Sequence, residues 1–101
     1  MICLVGDDAA GDTFIAKAAE HGLDTNHIIR VPGVPTDCTF VMTSMATGRR
    51  TFFVLPGVNA TMTPAQVMPP HDEAKIFYLG SPGISVSMDA VDGWRTVLKA
   101  A

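Results

Sequence analysis

Residues 2–5 form an unbroken apolar run closed by Gly6, the pattern of a short buried strand. Gly6 to Gly11 reads as a turn. Any of Asp7, Asp8 or Asp12 can cap the helix that follows, because a carboxylate there accepts from free backbone N–H groups. Within that helix Phe14, Ile15, Ala18 and Ala19 share one face, and His21-Gly22 ends it. The stretch LDTNHIIRVPGVPTD holds a strand flanked by two prolines and a glycine. Two β-rich runs follow, residues 37–45 (DCTFVMTSM) and 50–55 (RTFFVL), joined by Ala46-Thr47-Gly48-Arg49; this is the clearest hairpin in the chain.

A turn-rich connection then carries one short helix, with Thr63 capping and Pro64 at its first position. Residues 75–79 (KIFYL) read as another apolar strand. From Ser85 onward Val86, Val91 (or Ala90), Trp94, Val97 and Leu98 repeat at helical spacing and predict one amphipathic helix. The order is β-α-β, hairpin, short α, β-α, which is an α/β fold with a β insertion. A parallel sheet needs helices on both faces and several strands. Two or three strands and two long helices are too few to close one.

At 101 residues the chain is one domain with a single modest core. It is 48% hydrophobic and only 17% charged, against about 25% charged in an average soluble domain, so part of its apolar surface needs a cover. The net charge is −3, and Arg49-Arg50 is the only adjacent basic pair, which leaves no basic face for nucleic acid. No apolar run reaches the roughly 18–20 residues of a membrane span, and MICLVGDDAAGD turns acidic too early for a secretory signal. Cys3 and Cys38, in strand-like segments, are expected as buried free thiols of a cytoplasmic protein.

Candidate chemistry is sparse. Gly6 to Gly11 lacks the Lys-Ser/Thr of a phosphate-binding loop and the three-glycine dinucleotide spacing, and its aspartates oppose an anion. His21, His27 and His71 share no ligand-like spacing with the cysteines, so no metal site is expected. His71-Asp72 reads as a solvated loop. Ser44, Ser81 and Ser85 lack a nucleophile-elbow context. Met42, Met45, Met62, Met68 and Met88 read as packing residues. Asp12 alone poses a question, since a carboxylate at a helix start suits a cap as well as a base.

The segment VGDDAAG, a helix, then His21-Gly22-Leu23-Asp24-Thr25 resembles the early V-G-x-D-x-x-G…G-V-D-T block of the ribokinase-like (PfkB) carbohydrate kinases. Val34-Pro35-Thr36 resembles the opening of that family's lid. Gly48 to Phe53 resembles its D-G-E-R-T-F hairpin, Pro56 to Ala60 its P-G-A-N-A loop, and residues 76–80 its next core strand. This collinear register puts Asp12 at a helix start, although GDDAAGDTF also resembles the later segment whose final aspartate is the family's catalytic base.

The resemblance implies a partial ribokinase-like fold: a small piece of parallel core sheet with helices, residues 1–27 and 61–101, plus a lid-like β segment, residues 28–60. It implies a piece of a kinase that phosphorylates a sugar hydroxyl with ATP and Mg²⁺. The chain is expected to begin after the glycine-glycine sugar motif and to end before the ATP-binding segments and the catalytic base. No catalytic residue, ATP or metal is therefore assigned to this chain alone. Part of the sugar or nucleoside site remains: Thr39, Val41, Phe52 and Val54 on one lid face, with Gly57 and Asn59 at the pocket entrance. Gly57 and Asn59 read equally well as ordinary turn residues. The other lid face is expected to meet a second copy, and the alternative function is a non-enzymatic module that homo-oligomerises through its lid strands. The hairpin's two apolar faces are equally compatible with packing on the chain's own helices.

Overall fold

The structure, a computed structural model, describes residues 1–68, 75–80 and 82–101. His71, Asp72 and Ser81, weighed above, lie outside the described residues.

The body starts with β1 (Cys3–Gly6), which enters α1 (Ala9–Glu20) and returns in β2 (Ile28–Val31). β1 and β2 pair in parallel, Cys3 opposite Ile28 and Gly6 opposite Val31, so residues 1–31 form a β-α-β unit. Asp8 is the cap of α1, its Oδ1 accepting from the Gly11 N–H at 2.8 Å. Gly22, with φ 73°, ends the helix in the left-handed conformation. The packed face of α1 is Gly11, Ile15 and Ala18, whereas Phe14 and Ala19 face solvent, contrary to the helical reading. Glycine at position 11 is what lets α1 approach β1: a side chain there would meet the Gly6 carbonyl oxygen at 2.4 Å.

The hairpin comprises β3 (Cys38–Thr43) and β4 (Arg50–Leu55), antiparallel with Cys38 opposite Leu55 and Thr43 opposite Arg50. Ser44 and Arg49 close the loop, and Gly48 at φ 69° supplies its left-handed residue. No residue of either strand is buried. The hairpin therefore does not pack on the chain's own helices, and Cys38, Met42 and Met45 stand exposed where packing was expected. Cys3 is half-buried, and burial pushes its thiol pKa up. The radius of gyration, 15.2 Å, exceeds the roughly 13 Å of a compact domain this long, as a projecting hairpin requires.

Two single-turn helices follow, η1 (Val58–Thr61) and η2 (Pro64–Gln66), the second begun by Thr63 and Pro64, with the Gln66 side chain accepting from the Thr63 N–H. The predicted C-terminal helix is two: α2 (Val86–Ala90) and α3 (Gly93–Ala100), broken at Asp92, which adopts a left-handed φ of 51°. The break lets Gly93 press against Met88 and Pro64, where a Cβ would come within 3.0 Å of either. It also re-aims the apolar face. Met88 and Val97 are fully buried and Trp94 packs beside them, while Val86, Val91 and Leu98 are exposed.

Residues 75–79 were expected as a strand but join neither sheet. Their alternation survives as burial only: Phe77 and Leu79 pack against the cluster of Val67, Met88 and Val97, and Ile76 and Tyr78 point outward. Within residues 28–60, β2 pairs with β1 in the body sheet, and η1 packs on β1 and α2.

Candidate functional site

The hairpin rises from the segment after β2, which turns at Gly33 (φ 74°) and runs through Val34, Pro35, Thr36 and Asp37. Two glycines make room for that crossing. A Cβ on Gly6 would lie 2.5 Å from the Val34 carbonyl oxygen, and one on Gly57 would lie 2.1 Å from that of Pro35. At these contacts any side chain displaces backbone. Gly57 thus serves close approach, as glycine does, but to this chain's own hinge segment.

Two carboxylates fix the crossing. Asp8 accepts from the Thr36 N–H at 2.8 Å and from the Thr36 hydroxyl at 2.7 Å, while that hydroxyl accepts from the Gly6 N–H at 2.8 Å. The hydrogen bonds from Thr36 hold the Asp8 carboxyl below its ordinary pKa. Asp37 spans the two roots of the hairpin, accepting from the N–H groups of Gly57 and Asn59, both at 2.9 Å. Asp8 is legible in the sequence as a candidate cap and Thr36 as part of the Val34-Pro35-Thr36 segment, but the pairing of Asp8 with Thr36, and of Asp37 with Gly57 and Asn59, is not. Their partners lie 20 to 30 residues away, and no local pattern announces such pairs.

Opposed residues of an antiparallel pair share a face. The register therefore gathers Thr39 with Val54, Val41 with Phe52, and Thr43 with Arg50 on one side, the Arg50 guanidinium 5.8 Å above the Phe52 ring. Cys38 with Leu55, Phe40 with Phe53, and Met42 with Thr51 occupy the other side. Both sides are apolar and open: Phe52 is 55% exposed and Phe40 60%. Gly57 is buried at the root. Asn59 is half-buried beside it, and its side-chain amide makes no hydrogen bond among the described residues.

A shallow concavity of about 200 Å³ opens at the same end, lined by Asp7, Asp8, Gly33, Val34 and Pro35. It sits where β1 and β2 end, the edge at which open parallel sheets receive ligands. Asp12 stands on the first turn of α1, and its carboxylate accepts from Arg30, which also faces Asp7 at 3.7 Å. This paired, exposed carboxylate is suited to bracing the β-α-β unit. The arrangement as a whole can cover and hydrogen-bond a polyol, with apolar side chains, threonine hydroxyls and the Asn59 amide.

Comparison with known families matches residues 1–101 to the pfkB family carbohydrate kinases. Among solved structures, ribokinase from Giardia lamblia is 29% identical, over 65% of this chain and 19% of that one, with a TM-score of 0.58. Fructokinase from Xylella fastidiosa is 27% identical, over 64% of this chain and 20% of that one, with a TM-score of 0.55. A candidate ribokinase II from E. coli, in its apo form, matches 98% of this chain and 33% of its own length, with a TM-score of 0.65; at 24% identity that likeness speaks for the fold alone. Comparison with curated proteins found no match. The chain spans 19% to 33% of the length of these three structures. With a family match from its first residue to its last, and a β-α-β unit bearing a projecting hairpin, the chain belongs to the pfkB family of carbohydrate kinases.

Proposed function

We propose that this chain is the sugar-covering portion of a pfkB-type carbohydrate kinase, and that alone it binds a sugar or nucleoside without phosphorylating it. The observation that carries the proposal is the hairpin register. It gathers Thr39, Val41, Phe52 and Val54 on one open face, on a hairpin that leaves the body beside the ends of β1 and β2. Apolar side chains cover the carbon face of a sugar, and Asn59 with the threonine hydroxyls receives its hydroxyl groups.

ATP and Mg²⁺ belong to the chemistry of the family, but the residues present do not fit them. The α1 N-terminus is flanked by Asp7, Asp8 and Asp12, and the Gly11 N–H already serves Asp8. Among the described residues no cluster of three or more His, Cys, Asp or Glu could hold a metal. Asp12, the one aspartate in a motif like that of the family's base, is paired with Arg30. No transfer step is assigned to this chain.

The test is a thermal-shift panel of pentoses, hexoses, 2-keto sugar acids and nucleosides, each with and without MgATP, followed by an assay for phosphorylated product. A ligand at 100 times its Kd adds about 2.7 kcal/mol, which at about 4 °C or more per kcal/mol raises Tm by about 10 °C. A sugar-dependent shift indifferent to MgATP supports the proposal. A panel without shifts, or phosphorylated sugar above background, refutes it.

A second reading, homo-oligomerisation through the lid strands, draws on the other hairpin face, where Phe40, Met42, Phe53 and Leu55 are exposed together. Sedimentation velocity decides it: a concentration-dependent dimer supports this reading, and a monomer at high micromolar concentration removes it.

A further inference from the structure

We infer that Asp37 is a positioning residue: its carboxylate locks the two roots of the hairpin together and so sets the angle at which the hairpin stands on the body. Beyond Asp37 and before Pro56, every residue of β3 and β4 is exposed, so the pose of the hairpin is decided at its roots. At the β4 root, residues 57–60 are fastened to the body from the carbonyl side. The Ser85 hydroxyl donates to the Asn59 carbonyl, and the Ser87 hydroxyl donates to the Ala60 carbonyl at 2.6 Å. At the β3 root, Thr36 is fastened to Asp8 and the Pro35 carbonyl accepts from the Val58 N–H at 3.0 Å.

Asp37 joins these two anchored segments. Both its oxygens are used, one on the Gly57 N–H and one on the Asn59 N–H, each 2.9 Å away. Charged acceptors make the stronger class of hydrogen bond. Among the described residues no other side chain of the hairpin or its roots hydrogen-bonds from one root to the other; the Val58 N–H to Pro35 carbonyl bond also crosses, through backbone alone. The lever is long. Six residues per strand extend about 20 Å, so a hinge rotation of about 10° carries the tip about 3–4 Å. At the Val41–Phe52 pair, four residues from the roots and so about 13 Å out, the same rotation is about 2 Å, enough to break close contact with a bound sugar.

The consequence for sugar binding rests on the lid function proposed above; the clamp itself does not, and the test separates them. In D37N one carboxylate oxygen becomes an NH₂ that opposes one of the two N–H donors. The expected result is amide exchange at Gly57 and Asn59 faster by about tenfold or more. Residual dipolar couplings of β3 and β4 should then report lower order than those of α1, which keep their wild-type values. Unchanged exchange at both amides, with the hairpin and α1 still sharing one alignment, overturns the inference.

A measurement on the unaltered chain holds however D37N folds. Scalar couplings across the hydrogen bonds, from the Gly57 and Asn59 amide nitrogens to the Asp37 carboxyl carbon, report the two contacts directly. Absence of both couplings also overturns the clamp. Where the panel yields a sugar, a D37N chain with a loosened hairpin binds it several-fold more weakly. Wild-type affinity with a loosened hairpin supports the clamp and refutes the lid function.

Discussion

Replacing Gly57 by alanine places a methyl group 2.1 Å from the Pro35 carbonyl oxygen and 3.0 Å from the Asp37 nitrogen. Both neighbours are backbone, so no side chain can swing aside; the hinge segment itself has to move. Forcing a methyl group into a packed site costs about 1–3 kcal/mol. The displacement also pulls the Gly57 N–H from the Asp37 carboxylate, a charged hydrogen bond of about 1.5–3 kcal/mol. Taking the lower ends together, G57A loses at least about 2.5 kcal/mol, or about 10 °C in Tm at this chain length. Two other glycines calibrate the assay. Gly48 has open space around it but a φ of 69°, so G48A loses about 1–2 kcal/mol to backbone conformation alone. Gly80 has open space and no left-handed φ, and G80A is neutral or slightly stabilising. Thermal unfolding followed by circular dichroism ranks the three. A Tm loss for G57A no larger than that for G48A refutes the account of the hairpin root.

Asp8 gives a pH signature. Its carboxyl is held below the ordinary value in the folded chain, so its stabilisation is full above about pH 4 and is lost as pH falls through the depressed native value. The urea midpoint of wild type therefore exceeds that of D8N at pH 6, and the gap narrows below about pH 4; a gap independent of pH contradicts the Thr36 hydrogen bonds as its source. In α2, M88A costs about 2–5 kcal/mol because Met88 is fully buried. V86A, two residues away and 68% exposed, stays within about 0.5 kcal/mol of wild type by chemical denaturation.

The parts of the fold that sequence shows well are those specified by neighbours. The hairpin is written in its β-rich runs and in Gly48, and its register then sorts the strand residues onto two faces without further information. The β1–α1 unit is likewise written in its apolar run, its aspartates and the His21-Gly22 stop, though not in which aspartate caps. Long-range choices were hidden. Residues 75–79 carry a strand's composition, but a strand exists only through its ladder, and these residues are used to half-bury Phe77 and Leu79 against the core cluster. The apolar spacing from Val86 to Leu98 suits one helix, yet packing of Gly93 on Met88 and Pro64 favours a left-handed Asp92 and two helices. The hinge is hidden most completely. Asp8, Thr36 and Asp37 meet at this crossing through backbone groups and hydroxyls 20 to 30 residues apart, and a local window shows Asp8 only as a possible cap of α1.

The central claim is that one face of the hairpin covers a sugar, and side-chain NMR during a titration tests it most directly. With the ligand that gives the largest thermal shift, the account predicts perturbed methyl signals of Val41 and Val54 and ring signals of Phe52, while Leu55, Met42 and Phe53 on the opposite face stay unmoved. Shifts confined to that opposite face, or to Val34 and Pro35 in the concavity at the body, contradict it.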